Sequence, residues 1–280
     1  MRTLQSALCA AAALLAFPAL ASDVAFSPHR AVYDITLARA APGSGVAGLT
    51  GRMVFELNGS ACEGFTQNMR FVTRMTNQEG TETVNDLRAS SFEEAAGKRL
   101  RFSSTQYQNE DVVESSQGDA TRGADAESVK VDLKKPAKKK FDLPKDIYFP
   151  IQHAAALITS AREGRQLFTA NLYDGSEKGD KYYLTTSVIG NKTERGAVKS
   201  SAAFTGSDRL AQFDSWPVAI SYFDPNKDKQ DSTPAYELAF RYYENGVTAN
   251  LSIDYGEFAI SGALKELTFL DAATCASGAH

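Results

Sequence analysis

The chain has 280 residues, a formal charge of −4, 43% hydrophobic residues and 23% charged ones. That length holds one large all-β domain or two small ones, and the apolar content fits a globular chain, not a disordered one. The mildly acidic balance excludes nucleic acid as a whole-surface partner, because phosphate recognition needs a basic stripe.

Residues 1–21 read as a cleavable secretory signal. Arg2 gives the positive start, an Ala/Leu-rich run follows from Ala7 to Phe17, and Ala19-Leu20-Ala21 is a small-x-small cleavage site. The apolar run is too short to span a bilayer and no second long one follows, so the expected product is periplasmic and not membrane-spanning. Cys9 precedes its apolar run and so does not fit an acylation site. Cleavage after Ala21 removes Cys9 and Arg2, leaving residues 22–280 as a single domain with charge −5 and two cysteines, Cys62 and Cys275. In an oxidising compartment the default is one Cys62–Cys275 disulfide. Closing a loop of that length is worth up to about 5 kcal/mol.

Most of the remaining chain alternates with period two. Tyr33, Ile35 and Leu37 form one apolar set, Met53, Phe55 and Leu57 the next, and Phe65, Met69, Phe71 and Met75 share a parity. Gly97 to Asp125 is polar and weakly patterned, suggesting hairpins with long loops. Val129, Val131 and Leu133 alternate cleanly with Lys130, Asp132 and Lys134. Pro150 at a first helical position and Gly164 just past the end bracket a helix through Arg162, with Ile151, Ala154, Ala155, Ile158 and Ala161 as its apolar stripe. Tyr182, Leu184, Thr186 and Val188 read as the next strand's apolar set. Tyr236, Leu238, Phe240 and Tyr242 lead through Asn245-Gly246 to Leu251, Ile253 and Tyr255, where Asn-Gly predicts a two-residue type I′ hairpin. Asn58-Gly59 and Asp174-Gly175 are similar turn signals.

Catalytic constellations do not emerge. The mature chain keeps His29, His153 and His280, and it has no HExxH, GxSxG, CxxC or P-loop. His29 and His153 read as ordinary surface or packing residues. Asp224-Pro225-Asn226 resembles the opening of a calcium loop, but Lys229 and Ala235 stand where an EF-hand needs glycine and glutamate. The lysine cluster 134–140 is either a solvated, edge-protecting loop or a contact for anionic headgroups or an acidic partner. Phe213, Trp216, Tyr222, Phe223, Tyr236, Phe240, Tyr242 and Tyr243 either fill the core or line a ligand cavity.

Several strings, in order, carry a resemblance: Pro28-His29-Arg30-Ala31-Val32-Tyr33-Asp34, Phe149-Pro150-Ile151-Gln152-His153, Tyr173-Asp174-Gly175-Ser176, Trp216 through Phe223, Tyr243-Glu244-Asn245-Gly246 and Asp254-Tyr255-Gly256. Together they resemble the EipB-type family of periplasmic cell-envelope integrity proteins of alphaproteobacteria, from about residue 27 to Cys275. The resemblance implies a single antiparallel β-spiral domain, mainly β, with one packed α-helix near 150–163. It also implies one disulfide between the family's two cysteines, a role in envelope integrity, and no established enzymatic activity. Gly97–Asp125 and the lysine cluster match none of these strings.

The expected function is therefore non-enzymatic support of the envelope, with no cofactor, through binding of other envelope proteins, for which an exposed sheet edge offers strand addition. The alternative is a lipid or lipoprotein carrier or sensor that holds an apolar chain in a concavity. A third reading, a glycan hydrolase, needs two carboxylates facing each other across a groove, and the sequence selects no such pair. A continuous apolar concavity would favour the carrier, and a filled interior the protein partner.

Overall fold

The computed structural model describes residues 24–123, 127–197, 204–226 and 233–272. Its framework is one sheet of fifteen strands in which almost every strand pairs with its neighbours in sequence. Strands β1 (His29–Ala40), β2 (Val46–Ser60), β3 (Gly64–Asn77), β4 (Glu82–Glu94), β5 (Arg99–Gln108), β6 (Asp111–Arg122), β7 (Ser128–Lys135) and β8 (Lys139–Pro144) form an antiparallel meander. A second run follows: β9 (Ile147–Tyr148), helix α1 (Pro150–Arg162), β10 (Leu167–Leu172), β11 (Tyr183–Ile189), the one-turn helix α2 (Ser207–Leu210), β12 (Ser215–Phe223), β13 (Tyr236–Tyr243), β14 (Thr248–Asp254) and β15 (Phe258–Phe269). β15 pairs back onto β1, joining the two runs side by side.

The two ends of the sheet, β8 and β9, are consecutive in sequence and separated only by Lys145 and Asp146. The sheet therefore curls into a nearly closed barrel whose seam is spanned by covalent chain. β9 pairs with β10 in parallel, the exception in an otherwise antiparallel sheet, and α1 is the crossover that a parallel pair requires.

Three apolar clusters fill the interior. One packs Ala155, Leu157, Ile158 and Ala161 of α1 against Trp216, Ile220 and Tyr242. A second gathers Tyr33, Ile35, Met53, Leu251, Ile260 and Leu264 beneath β1, β2, β14 and β15. A third holds Leu100, Phe102, Val131, Leu133, Phe149 and Tyr173. The aromatic set of the C-terminal half belongs to this core: Trp216, Tyr222, Tyr242 and Tyr243 are buried, and Tyr222 stacks on Tyr236 at 4.4 Å.

Several sequence expectations need correction. The strand at 182–189 turns its other face inward, so that Tyr183, Thr185, Ser187 and Ile189 are buried while Leu184 and Val188 are exposed. The inner hydroxyl of Thr185 is satisfied by the Ala170 carbonyl, which lets this threonine occupy a core face, while the buried Ser187 hydroxyl has no partner among the described residues. The Asn245-Gly246 hairpin is a three-residue loop: Gly246 alone takes a positive φ, and Tyr243 exchanges hydrogen bonds with Gly246 and Val247. The type I′ geometry lies instead at Asn109-Glu110, both at positive φ, joining β5 and β6 by a two-residue turn where long loops were expected. Asn58-Gly59 stays inside β2, where Gly59 pairs with Phe65; a Cβ on Gly59 would lie 2.1 Å from the Gly64 carbonyl oxygen.

Helix α1 has the predicted bounds but a rotated stripe that buries His153, Leu157 and Ser160 and leaves Ile151 half-buried. The short α2 was not anticipated. Trp216-Pro217 sits near the start of β12, a central strand. Pro217 is tolerated because it lies beyond the last β11 pair, Ile189–Val218.

Candidate functional site

The chain's least ordinary chemistry lies at the seam. Phe149 caps α1 and offers no side-chain acceptor to the free N–H groups of the first turn. Glu93, from the end of β4, supplies that acceptor: Ile151 N–H donates to Oε2 at 2.7 Å and Gln152 N–H to Oε1 at 3.0 Å. Its burial pushes the carboxyl up to about 7, against the pull of those two amides and of Arg122. Arg122, at the end of β6, donates to the carbonyls of Lys145 (2.9 Å) and Ile147 (2.8 Å) and to Gln152 Oε1 (3.3 Å). One guanidinium thus grips the linker between β8 and β9 from both sides and ties it to the helix. Gly97 lets Gln152 sit there, since a Cβ would lie 2.0 Å from the Gln152 amide.

His153 points inward, and burial lowers its pKa to about 4. Thr185 donates its hydroxyl proton to Ala170, so its Oγ1 accepts from His153 Nε2 at 3.0 Å, and the neutral ring carries its proton on Nε2. His29 is equally enclosed, with Nδ1 2.7 Å from the Ser27 carbonyl. Both histidines are packing residues. The Tyr173-Asp174-Gly175-Ser176 string opens a loop that folds into the barrel. Gly175 lies against Phe102, Ser116 donates to the Gly175 carbonyl (2.7 Å), and Tyr173 donates to the Gly179 carbonyl (2.7 Å). Among the described residues no group of three or more His, Cys, Asp or Glu side chains is placed to hold a metal ion, and no helix is long and apolar enough to cross a membrane. Asp224 forms a local turn with Asn226, and residues 227–232 of the rejected calcium-like loop lie outside the described residues.

The lysine cluster surrounds the β7–β8 hairpin. Lys134 pairs with Asp119 at 2.6 Å, Lys139 with Asp180 at 3.4 Å and Lys140 with Asp132 at 3.5 Å, while Lys135 and Lys138 are exposed. Among the described residues β8 ladders only with β7, so its far edge lies beside these lysines with no strand paired to it.

Cys62 lies in the exposed turn between β2 and β3, and Cys275 lies outside the described residues. The register bears on both. β2 and β15 flank β1 and run in the same direction, with Leu57, His29 and Phe269 side by side. β2 and β15 therefore finish at the same end of the barrel, about 10 Å apart.

Glu93 and Arg122 escaped sequence reading. A lone charged residue in a strand carries no motif, although Gln152 three residues after the helix cap is a capping-box signal that marks the spot.

The EipB-like family model matches residues 20–271. The chain is 41% identical over 251 residues to the cell envelope integrity protein EipB of Brucella abortus, covering 90% of this chain and 87% of that protein. A crystal structure from Brucella abortus, described as a beta-barrel-like protein of a domain of unknown function, superposes with a TM-score of 0.80 at 38% identity, covering 89% of this chain and all of the other. Sequence and barrel agree over nine-tenths of the length, and the chain belongs to the EipB-like family.

Proposed function

We propose that this chain is a periplasmic, non-catalytic protein of envelope integrity that holds an extended, acidic segment of another envelope protein against the free edge of β8. The observation that carries this reading is the pairing of an unladdered strand edge with the lysines of the 134–140 segment, on a barrel whose interior is occupied by three apolar clusters. Strand addition takes its affinity from main-chain hydrogen bonds, and the lysines favour an acidic partner. The 41%-identical relative is named for cell envelope integrity, which supports the same compartment and role here. A Cys62–Cys275 bridge belongs to the proposal; the parallel exit of β2 and β15 supports it.

The test is complementation of a bacterial strain lacking the chain, challenged with detergent. Lys138→Glu/Lys139→Glu reverses charge beside the edge without entering the core, and Lys140→Pro blocks the edge itself. Both variants should reach wild-type periplasmic abundance and fail to protect. Full protection by both overturns the reading, as does a lipid released when natively purified protein is denatured, which would establish the carrier instead.

A further inference from the structure

The outer face of β2–β5 carries a feature that folding alone does not favour. Arg70 and Arg88 stand directly opposite each other on β3 and β4, a like-charge cross-strand pair that weakens a ladder. A single carboxylate sits between them. Asp86 accepts from Arg70 Nε (3.1 Å) and Nη2 (2.8 Å) and from Arg88 Nε (3.1 Å) and Nη2 (2.7 Å). Two guanidinium groups share one acid, so the trio keeps a net positive charge, and among the described residues the Nη1 groups have no protein acceptor. Arg88 is held from a second direction by the Tyr107 ring, with its guanidinium carbon 4.8 Å from the ring centre.

These groups rim an open depression of about 440 Å³. It forms where short side chains stand beside long ones: Thr105 lies opposite Arg88, and Ser90 and Ser103 lie on the side of the arginines away from Tyr107. Asn68 accepts from Ser90 through Oδ1 at 2.7 Å, which turns its amide NH₂ outward. Glu56, on the β2 side, is engaged by Asn58 at 2.6 Å and makes no ion pair with Arg70. The size is that of a small-ligand site, and Val54, Met69 and Ala89 share the lining with the hydroxyl, amide, guanidinium and Glu56 carboxylate groups. Guanidinium groups held in fixed planes recognise carboxylate and phosphate oxygens, and short hydroxyl and amide groups recognise sugar hydroxyls.

We propose that Arg70 and Arg88, oriented by Asp86 and Tyr107 on the outer face of β3–β5, form a binding site for a saccharide bearing an oxyanion. The oxyanion takes the two guanidinium edges that Asp86 does not occupy. The sugar hydroxyls lie over Asn68, Ser103 and Thr105. The carboxylate of a uronic acid and the phosphate of a sugar phosphate share this chemistry. The site is three strands away from β8 and operates independently of that edge.

The experiment is a titration of the isotopically labelled mature protein with glucuronate, glucose 6-phosphate, inorganic phosphate and glucose, following the arginine Nε–H signals. Glucuronate or glucose 6-phosphate should shift Arg70 and Arg88 at millimolar concentrations, and the one that binds more tightly identifies the source of the oxyanion. Arg88→Gln should weaken binding at least tenfold with the melting temperature unchanged. Tyr107→Leu, which leaves both ion pairs in place, should weaken it several-fold and guards against a folding defect in the first variant. An equal response to glucose, or unaltered binding by both variants, overturns the site. Inorganic phosphate binding as tightly as glucose 6-phosphate overturns the saccharide component.

Discussion

Replacing Glu93 by Gln should change how the protein's stability depends on pH, by an amount the structure fixes. Folding raises the Glu93 carboxyl from 4.5 to about 7 through burial. A raised acid binds more protons in the folded state, so its stabilising contribution is complete below pH 4.5 and is lost as pH rises through 7. At 1.36 kcal/mol for each pKa unit, the loss is about 3 kcal/mol. His153 acts in the opposite sense. Burial lowers it from 6.5 to about 4, so the unfolded chain binds the extra proton, and stability is gained as pH rises from 4 to 6.5, again by about 3 kcal/mol. In the wild type the two slopes offset each other between about pH 4.5 and 6.5. Subtracting wild-type from Glu93→Gln stability cancels every other group and isolates Glu93. The variant should gain about 3 kcal/mol relative to wild type between pH 4.5 and 7, on top of a constant cost from the weaker helix cap. His153→Gln should give the mirror-image difference between pH 4 and 6.5. The assay is urea unfolding at a series of pH values, read by the single tryptophan, Trp216, which is buried in the barrel. A Glu93→Gln difference that stays flat within about 0.5 kcal/mol across that range would refute the assignment of a buried, proton-binding cap.

Two further outcomes test the fold. Cys62→Ser and Cys275→Ser should each lower the unfolding free energy by the same amount, up to about 5 kcal/mol, with matching falls in melting temperature and protease resistance, since either change opens the same loop; unequal losses, or a free thiol in the wild type, would exclude a single bridge. Ile189→Ala should cost about 2–5 kcal/mol and Val188→Ser less than about 0.5 in denaturant unfolding, because only the former side chain is buried; the reverse order would restore the face that apolar alternation assigns to this strand.

The alternating strands were legible wherever one face is wet and the other dry. Val129, Val131 and Leu133 are 0–3% exposed, and the lysines and aspartate between them are exposed, as the pattern requires. The helix bounds were legible because proline and glycine act through backbone geometry, which no tertiary context reverses. Its facing was not, since an Ala-rich helix shows little amphipathic contrast and the decisive contact, His153 to Thr185, joins residues 32 apart. β11 failed because its inner face carries Thr185 and Ser187: the Thr185 hydroxyl is satisfied by a carbonyl, while Ser187 is buried as a small residue without a partner among the described residues. The Asn109-Glu110 turn was hidden because glutamate rarely takes a positive φ.

The seam explains why recognition strings that look like turn punctuation recur around a single place. A meander that runs from β1 to β8 and returns through β15 could close only by pairing β8 with β10, which are separated in the chain by a helix. The chain instead threads one extended stretch, residues 139–148, along β7 and then along β10, so each side of the barrel receives half of a strand. The join is then made by side chains: Arg122 binds the carbonyls at the crossing, Glu93 caps the helix that leaves it, and the Tyr173 loop packs beneath it. Phe149 through His153 and Tyr173 through Ser176 are the two strings that form this join. Their constraint is structural. Because β10 takes only Ile147 and Tyr148, the Lys139–Pro144 part of the shared stretch has no second strand partner among the described residues.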